Sequence, residues 1–228
     1  MPPLGTYNSQ SLDIKYFDMQ GNFFSHTRLF EILKIDRNVS NFFERVLSLL
    51  LLITVAPLFL IISICIKVFM PGPIFYKQVR VGKNGREFNI IKFRSMFVNA
   101  EKNSGPVLAS VNDDRITPLG NFLRKSHLDE LPQLINVLMG DMAFVGPRPE
   151  RPCFVKEFDQ TVDDYLRRKE VLPGITGLAQ ICLPYNAGPK EKIQYDTYYI
   201  DHNKSVVLNV MICYYTLLKM VKAFSRSS

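Results

Sequence analysis

A chain of 228 residues has room for one substantial core, or for one core and a membrane element. Hydrophobic residues make up 47%, ordinary for a globular protein, and the net charge of +7 calls for an anionic partner: nucleic acid, anionic lipid or a phosphorylated substrate. The four cysteines form no CxxC pair and the three histidines are dispersed, which argues against a zinc site and for scattered, reduced thiols.

The first stretch, to about Asn38, is polar, with Pro2, Pro3, Gly5 and several Asn and Ser. It lacks the basic head, apolar core and small-residue cleavage site of a signal peptide. A short helix is expected around Leu29 to Ile35, and the rest reads as an extension. From Val46 to Ile66, 21 residues carry no charge, a length that suits a bilayer-spanning helix. Pro57, in the middle, removes a backbone donor and clashes with the preceding turn, so a kink or break is expected there. Each half would then be about 15 Å long, half the hydrocarbon thickness. Lys34, Arg37 and Arg45 precede this segment, and Lys67, Lys77, Arg80, Lys83 and Arg86 follow it. The positive-inside rule places both flanks in the cytoplasm, which suits a helix that bends and returns. On the residues alone a plain span also stands, because membrane helices tolerate proline.

Pro71-Gly72-Pro73 ends the apolar segment. Ile74 to Tyr76 and Phe88 to Ile91 read as extended pieces of a hairpin around the Gly82 to Gly85 turn. Residues 119–139 and Phe154 to Arg168 read as helices, and Val206 to Phe224, with Lys219 and Lys222, as an amphipathic helix, either packed in the core or lying at a membrane surface. No repeat is present, so the expected class is α+β, mostly helical with a small β-hairpin. The expected division is an extension at 1–40, a membrane element at 41–70 and a catalytic domain at 71–228.

The chemistry centres on Ser126 to Gln133, where Asp129 and Glu130 sit side by side before Pro132. Proline favours the first turn of a helix, where the dipole favours negative charge and bound phosphate. Alone, such a pair is better read as support for a helix start. Its company alters that reading. Arg148 lies between Pro147 and Pro149, a rigid setting for a bidentate grip on phosphate. Lys92 and Arg94 would share one face of a strand. Pro173 to Gln180 forms a Gly-rich turn that a ligand could approach closely.

Seven features in order carry a resemblance to the bacterial sugar transferase family, the monotopic phosphoglycosyl transferases, from about Asn41 to Phe224. They are the proline-centred apolar helix, Lys77 to Arg80, Lys92 to Met96, Leu128 to Gln133, Gly140 to Met142, Gly146 to Pro149 and Pro173 to Gln180, continued by Tyr195 to Tyr199. The resemblance implies a sugar 1-phosphate transferred from a UDP-sugar to undecaprenyl phosphate, with UMP released and glycan assembly begun. It implies Asp129 as nucleophile and Mg²⁺ ligand, Glu130 as its catalytic partner, and Lys92, Arg94, Arg124, Arg148, Gln180 and Asp196 as substrate-binding residues. It further implies a re-entrant helix broken at Pro57, membrane-lipid contact, a catalytic domain on the cytoplasmic face of the bacterial inner membrane, and a homodimer among the assemblies to consider. Where the family often has Asn-Gly-Arg after the Gln180 position, this chain reads Ile181 to Asn186, leaving Lys190 or Lys192 as the nearest basic residues. A non-catalytic, membrane-tethered lipid-binding protein would explain the charge and the apolar segment, but not the acid pair beside Arg148. Nucleic-acid binding accounts for the charge alone.

Overall fold

The computed structural model describes residues 16–17, 23–24, 33–100, 113–184 and 186–225. Most of the expected extension, and the first half of the helix expected at Leu29 to Ile35, lie outside these residues. Two short strands, β1 (Tyr16–Phe17) and β2 (Phe23–Phe24), pair antiparallel. Leu33 to Ile35 is not helical. It runs extended against the other end of the chain, Ile35 N–H donating to the Lys204 carbonyl and Val206 N–H to the Leu33 carbonyl, both at 3.0 Å.

Helix α1 (Arg37–Phe69) has 33 residues and starts where the Asp36 carboxylate accepts the Asn38 N–H at 2.9 Å. At 1.5 Å per residue it is about 50 Å long. Pro57 lies within it, and the helix runs on through this position without the expected break. A proline orphans one carbonyl without forcing the turns on either side to unwind. In the most apolar window of 18 residues only 11% are buried. Both ends of α1 nevertheless dock on the same globular body. Near its start Glu44 accepts the Phe144 N–H at 2.7 Å, and the buried Ser48 hydroxyl donates to the Leu134 carbonyl at 2.6 Å. Near its end Ile62 and Ile66 pack with Phe93 and Leu123, and Phe59 lies against Phe75 and Phe93. Leu50, Ile53, Leu60 and Ile61 remain exposed.

Strands β3 (Phe75–Val81) and β4 (Glu87–Phe93) form the expected hairpin, in a register that opposes Phe75 to Phe93 and Val81 to Glu87. Phe88 and Ile90 face inward onto Val137 and Met142. The helix expected over 119–139 is instead three pieces: α2 (Pro118–Lys125), a single 3-10 turn at Leu128–Glu130, and α3 (Gln133–Met139). The interruption falls at His127, in the left-handed region at φ 56, a conformation no continuing helix accommodates. Asn136, fully buried, ties α3 to β4 by accepting the Ile91 N–H at 3.0 Å and donating to the Asn89 carbonyl at 2.8 Å.

Strand β5 (Ala143–Val145) pairs in parallel with β6 (Gly174–Thr176), a pairing with no local sequence signature. Between them lie α4 (Pro152–Thr161) and a 3-10 segment at Tyr165–Glu170. The helix expected from Phe154 to Arg168 therefore stops at Thr161, because Val162 is extended and Asp164 takes φ 59. Helices α5 (Leu178–Cys182), α6 (Pro189–His202) and α7 (Val206–Ser225) complete the body. Leu208 and Ile212 of α7 are fully buried against Val145, Leu178 and Tyr199, whereas Val210, Tyr214, Leu217 and Val221 are exposed. The class is as expected: mostly helical, with a small antiparallel hairpin and one long apolar helix.

Candidate active site

The 3-10 turn that carries Asp129 and Glu130 lies between α2 and α3, under the end of β4. Glu130 Oε1 accepts from Lys92 Nζ on β4 and from Arg148 Nη2 on the loop after β5, each at 2.6 Å. Burial pushes the Glu130 carboxyl up, but Arg148 and Lys92 outweigh this by charge and hydrogen bonding and hold it well below the usual range. Burial in turn lowers Lys92, with Glu130 opposing.

Asp129 differs in kind. It is 6% exposed, and among the described residues its carboxylate takes no hydrogen bond. Burial, assisted by Glu130, raises it, while Lys92, Arg124 and Arg148 pull the other way. One carboxylate is thus fixed as a counter-ion, and the other bonds none of the described residues while feeling the charges of Lys92, Arg124 and Arg148. That is the arrangement expected of a nucleophile facing an anionic phosphorus centre. Arg124 on α2 is oriented by its Nε, which donates to Ser95 Oγ at 2.8 Å.

Arg148 is presented by a backbone held at four successive carbonyls. The Pro147 carbonyl accepts the Gly174 N–H at 3.0 Å, Arg148 accepts from Arg168 at 2.6 Å, Pro149 from Arg80 at 3.1 Å, and Glu150 accepts the Val81 N–H at 3.0 Å. The loop is close-packed as well as bonded: a Cβ on Gly146 would meet the Leu172 carbonyl oxygen at 2.4 Å.

Lys92, Arg124 and Arg148 therefore gather around the acid pair as the sequence predicts, whereas three other expected site residues lie elsewhere. β4 ends at Phe93, so Arg94 does not share the face of Lys92. It is 5% exposed and donates to the Met70 carbonyl and, at 3.0 Å, to the Pro71 carbonyl, closing the end of α1. Gln180 donates to the Ile175 carbonyl at 3.2 Å and knits α5 to β6. Asp196, 2% exposed, sits behind the Arg148 loop with its Oδ2 2.9 Å from Arg168 Nε. Sequence reasoning missed Arg168, Tyr165 and Ser95. The only signal was Arg167-Arg168-Lys169, which resembles any solvated basic run.

Among the described residues no three His, Cys, Asp or Glu side chains gather to form a metal cage. With Glu130 held by Lys92 and Arg148, Asp129 is the member of the acid pair left to hold a metal. That set suits Mg²⁺, which takes one or two carboxylates and completes its shell with phosphate oxygens and water.

A sequence model described as bacterial sugar transferase matches residues 35–223. A UDP-N-acetylgalactosamine-undecaprenyl-phosphate N-acetylgalactosaminephosphotransferase of Aeromonas hydrophila is 44% identical over 172 residues, 74% of this chain and 40% of that protein. A UDP-glucose:undecaprenyl-phosphate glucose-1-phosphate transferase of Xanthomonas campestris pv. campestris is 40% identical over 183 residues, 78% of this chain and 38% of that protein. An exopolysaccharide production protein PSS of Rhizobium leguminosarum bv. phaseoli is 37% identical over 183 residues, 75% of this chain and 89% of that protein. The chain thus spans about two fifths of the first two relatives and most of the third.

Proposed function

The chain belongs to the bacterial sugar transferase family, and on that premise we propose that it transfers a sugar 1-phosphate from a UDP-sugar to undecaprenyl phosphate, beginning a membrane-bound glycan. The observation that carries this reading is the division of labour in the acid pair: Glu130 is locked to Lys92 and Arg148, while Asp129 is left without a hydrogen bond among cations.

In the first step an Asp129 carboxylate oxygen attacks the sugar-linked phosphorus. The phosphoanhydride P–O bond breaks, UMP leaves with that oxygen, and the sugar phosphate stays on Asp129 as an acyl phosphate. Arg148, Lys92 and Arg124 offset the negative charge that would otherwise repel a carboxylate from this centre. In the second step an undecaprenyl phosphate oxygen attacks the same phosphorus. The acyl phosphate bond breaks, the Asp129 carboxylate returns, and the product is an undecaprenyl diphosphate sugar. Mg²⁺ held by Asp129 together with substrate phosphate would supply Lewis-acid neutralisation.

The membrane arrangement we propose is re-entrant, with both ends of α1 and the catalytic body on the cytoplasmic face of the inner membrane. It is supported by the docking of Glu44 and Ser48 at one end and of Ile62 and Ile66 at the other onto one body, and by the exposed apolar surface between them. A straight span would carry one end across about 30 Å of hydrocarbon, away from that body.

The test is incubation of detergent-solubilised protein with labelled UDP-sugars, Mg²⁺ and undecaprenyl phosphate. Lipid-dependent UMP release is expected, with Asp129→Asn reducing it by about 10³-fold or more. Undiminished turnover in that variant would overturn the nucleophile assignment. Single cysteines at each end of α1 should label only from the cytoplasm, and labelling of one end from outside would restore a plain span.

A further inference from the structure

Asp196 was expected among the substrate contacts, yet it is 2% exposed and paired with Arg168, behind the Arg148 loop. Two nitrogens of the Arg168 guanidinium donate hydrogen bonds and the third makes an ionic contact. Nε lies 2.9 Å from Asp196 Oδ2, Nη1 donates to the Tyr165 hydroxyl at 2.6 Å, and Nη2 donates to the Arg148 carbonyl at 2.6 Å. The guanidinium also lies 5.0 Å from the centre of the Tyr165 ring. The charges around Asp196 are Arg168, Glu150 and Lys192, with Arg168 the dominant partner. A buried ion pair is a poor device for stability alone, since an apolar pair of similar volume often does as well. Here the pair has one connection that an apolar pair cannot reproduce: a charge-assisted hydrogen bond to the backbone of the residue whose side chain grips Glu130.

Resting on the transferase reading above, we propose that Arg168 and Asp196 are positioning residues that act through Arg148. Asp196 anchors the Arg168 fork, Arg168 fixes the Arg148 carbonyl, and the Arg148 side chain is thereby aimed at Glu130 and the reacting phosphate. Lysine cannot replace arginine in this role, because a single ammonium cannot bond the Tyr165 hydroxyl and the Arg148 carbonyl while also facing Asp196.

The test uses the full chain in detergent with a labelled UDP-sugar and undecaprenyl phosphate. The charge-free double variant Arg168→Met with Asp196→Leu removes both members of the pair and leaves no buried charge unpaired. Its kcat should fall about 10- to 100-fold with KM within about twofold, the effect of misplacing a group that matters in the transition state. Combined with Arg148→Ala, the double variant should lower kcat by less than about a further twofold, because residues acting through one group do not add. Hydrogen exchange over residues 146–155 should quicken in the double variant, a readout independent of turnover. Should the double variant fold poorly, Arg168→Lys, which keeps the charge, should still lose about tenfold in kcat. A kcat within twofold of wild type, a full additional loss on top of Arg148→Ala, or unchanged exchange at 146–155 would each overturn the proposal. Absence of UMP release by the wild-type chain would instead overturn the transferase reading, and the exchange result would still decide the positioning claim.

Discussion

Replacing Glu130 by Gln should separate the two acids by stability as sharply as by activity. The change keeps side-chain shape but removes the carboxylate that Lys92 and Arg148 both bond. Lys92 and Glu130 are 18% and 15% exposed, so their pair counts as buried, and breaking such a pair by removing one member costs about 3 kcal/mol or more. Arg148 is 39% exposed, so its half of the network is screened and contributes only about 0.5 kcal/mol. For a body of this size each kcal/mol moves Tm by roughly 2–4 °C, so Glu130→Gln should lower Tm by about 7–14 °C. Asp129→Asn should leave Tm equal to or above wild type, because it removes a charge that burial disfavours. Circular dichroism melts suit a chain without tryptophan. The pH dependence has opposite signs for the two groups. Glu130, depressed in the fold, adds stability that is present above its unfolded pKa and fades as pH falls toward its folded value. Asp129, raised in the fold, makes stability decline as pH climbs through the window between its unfolded and folded values. Equal Tm losses in the two variants, or none in Glu130→Gln, would refute the division of roles.

Two further outcomes test the placement of other residues. A Cβ on Gly120 would meet the Ser95 carbonyl oxygen at 1.8 Å, so Gly120→Ala should push α2 from the loop that orients Arg124 and destabilise by about 3 kcal/mol, read as a lower urea midpoint. Arg94→Ala should lower Tm by several degrees through loss of the Met70 and Pro71 carbonyl bonds while leaving KM for the UDP-sugar unchanged. A raised KM would return Arg94 to the substrate.

Much of the fold follows from features that act over a few residues. The apolar run to Ile66, the hairpin around Lys83 to Gly85 and the α7 pattern are set by local burial and turn geometry, and their positions could be read directly. Breaks within helical patterns could not. His127 and Asp164 adopt left-handed backbones, which His and Asp favour over other side chains but only weakly, and both divide a segment whose periodicity alone reads as one helix. The acid pair, with its proline and the rigid Arg148 loop, could be singled out as a candidate phosphate site because each motif is contiguous. Which acid is held and which is free was not, since that depends on Lys92, 38 residues from Glu130, and Arg148, 18 residues away. Arg94, Gln180 and Asp196 have the residue types of substrate contacts, yet each bonds to backbone or to a buried partner. Residue type and spacing determine which chemistry a chain carries; tertiary packing decides which polar groups are already satisfied and which remain to react, because one hydrogen bond to a neighbour distant in sequence turns a candidate ligand into a brace.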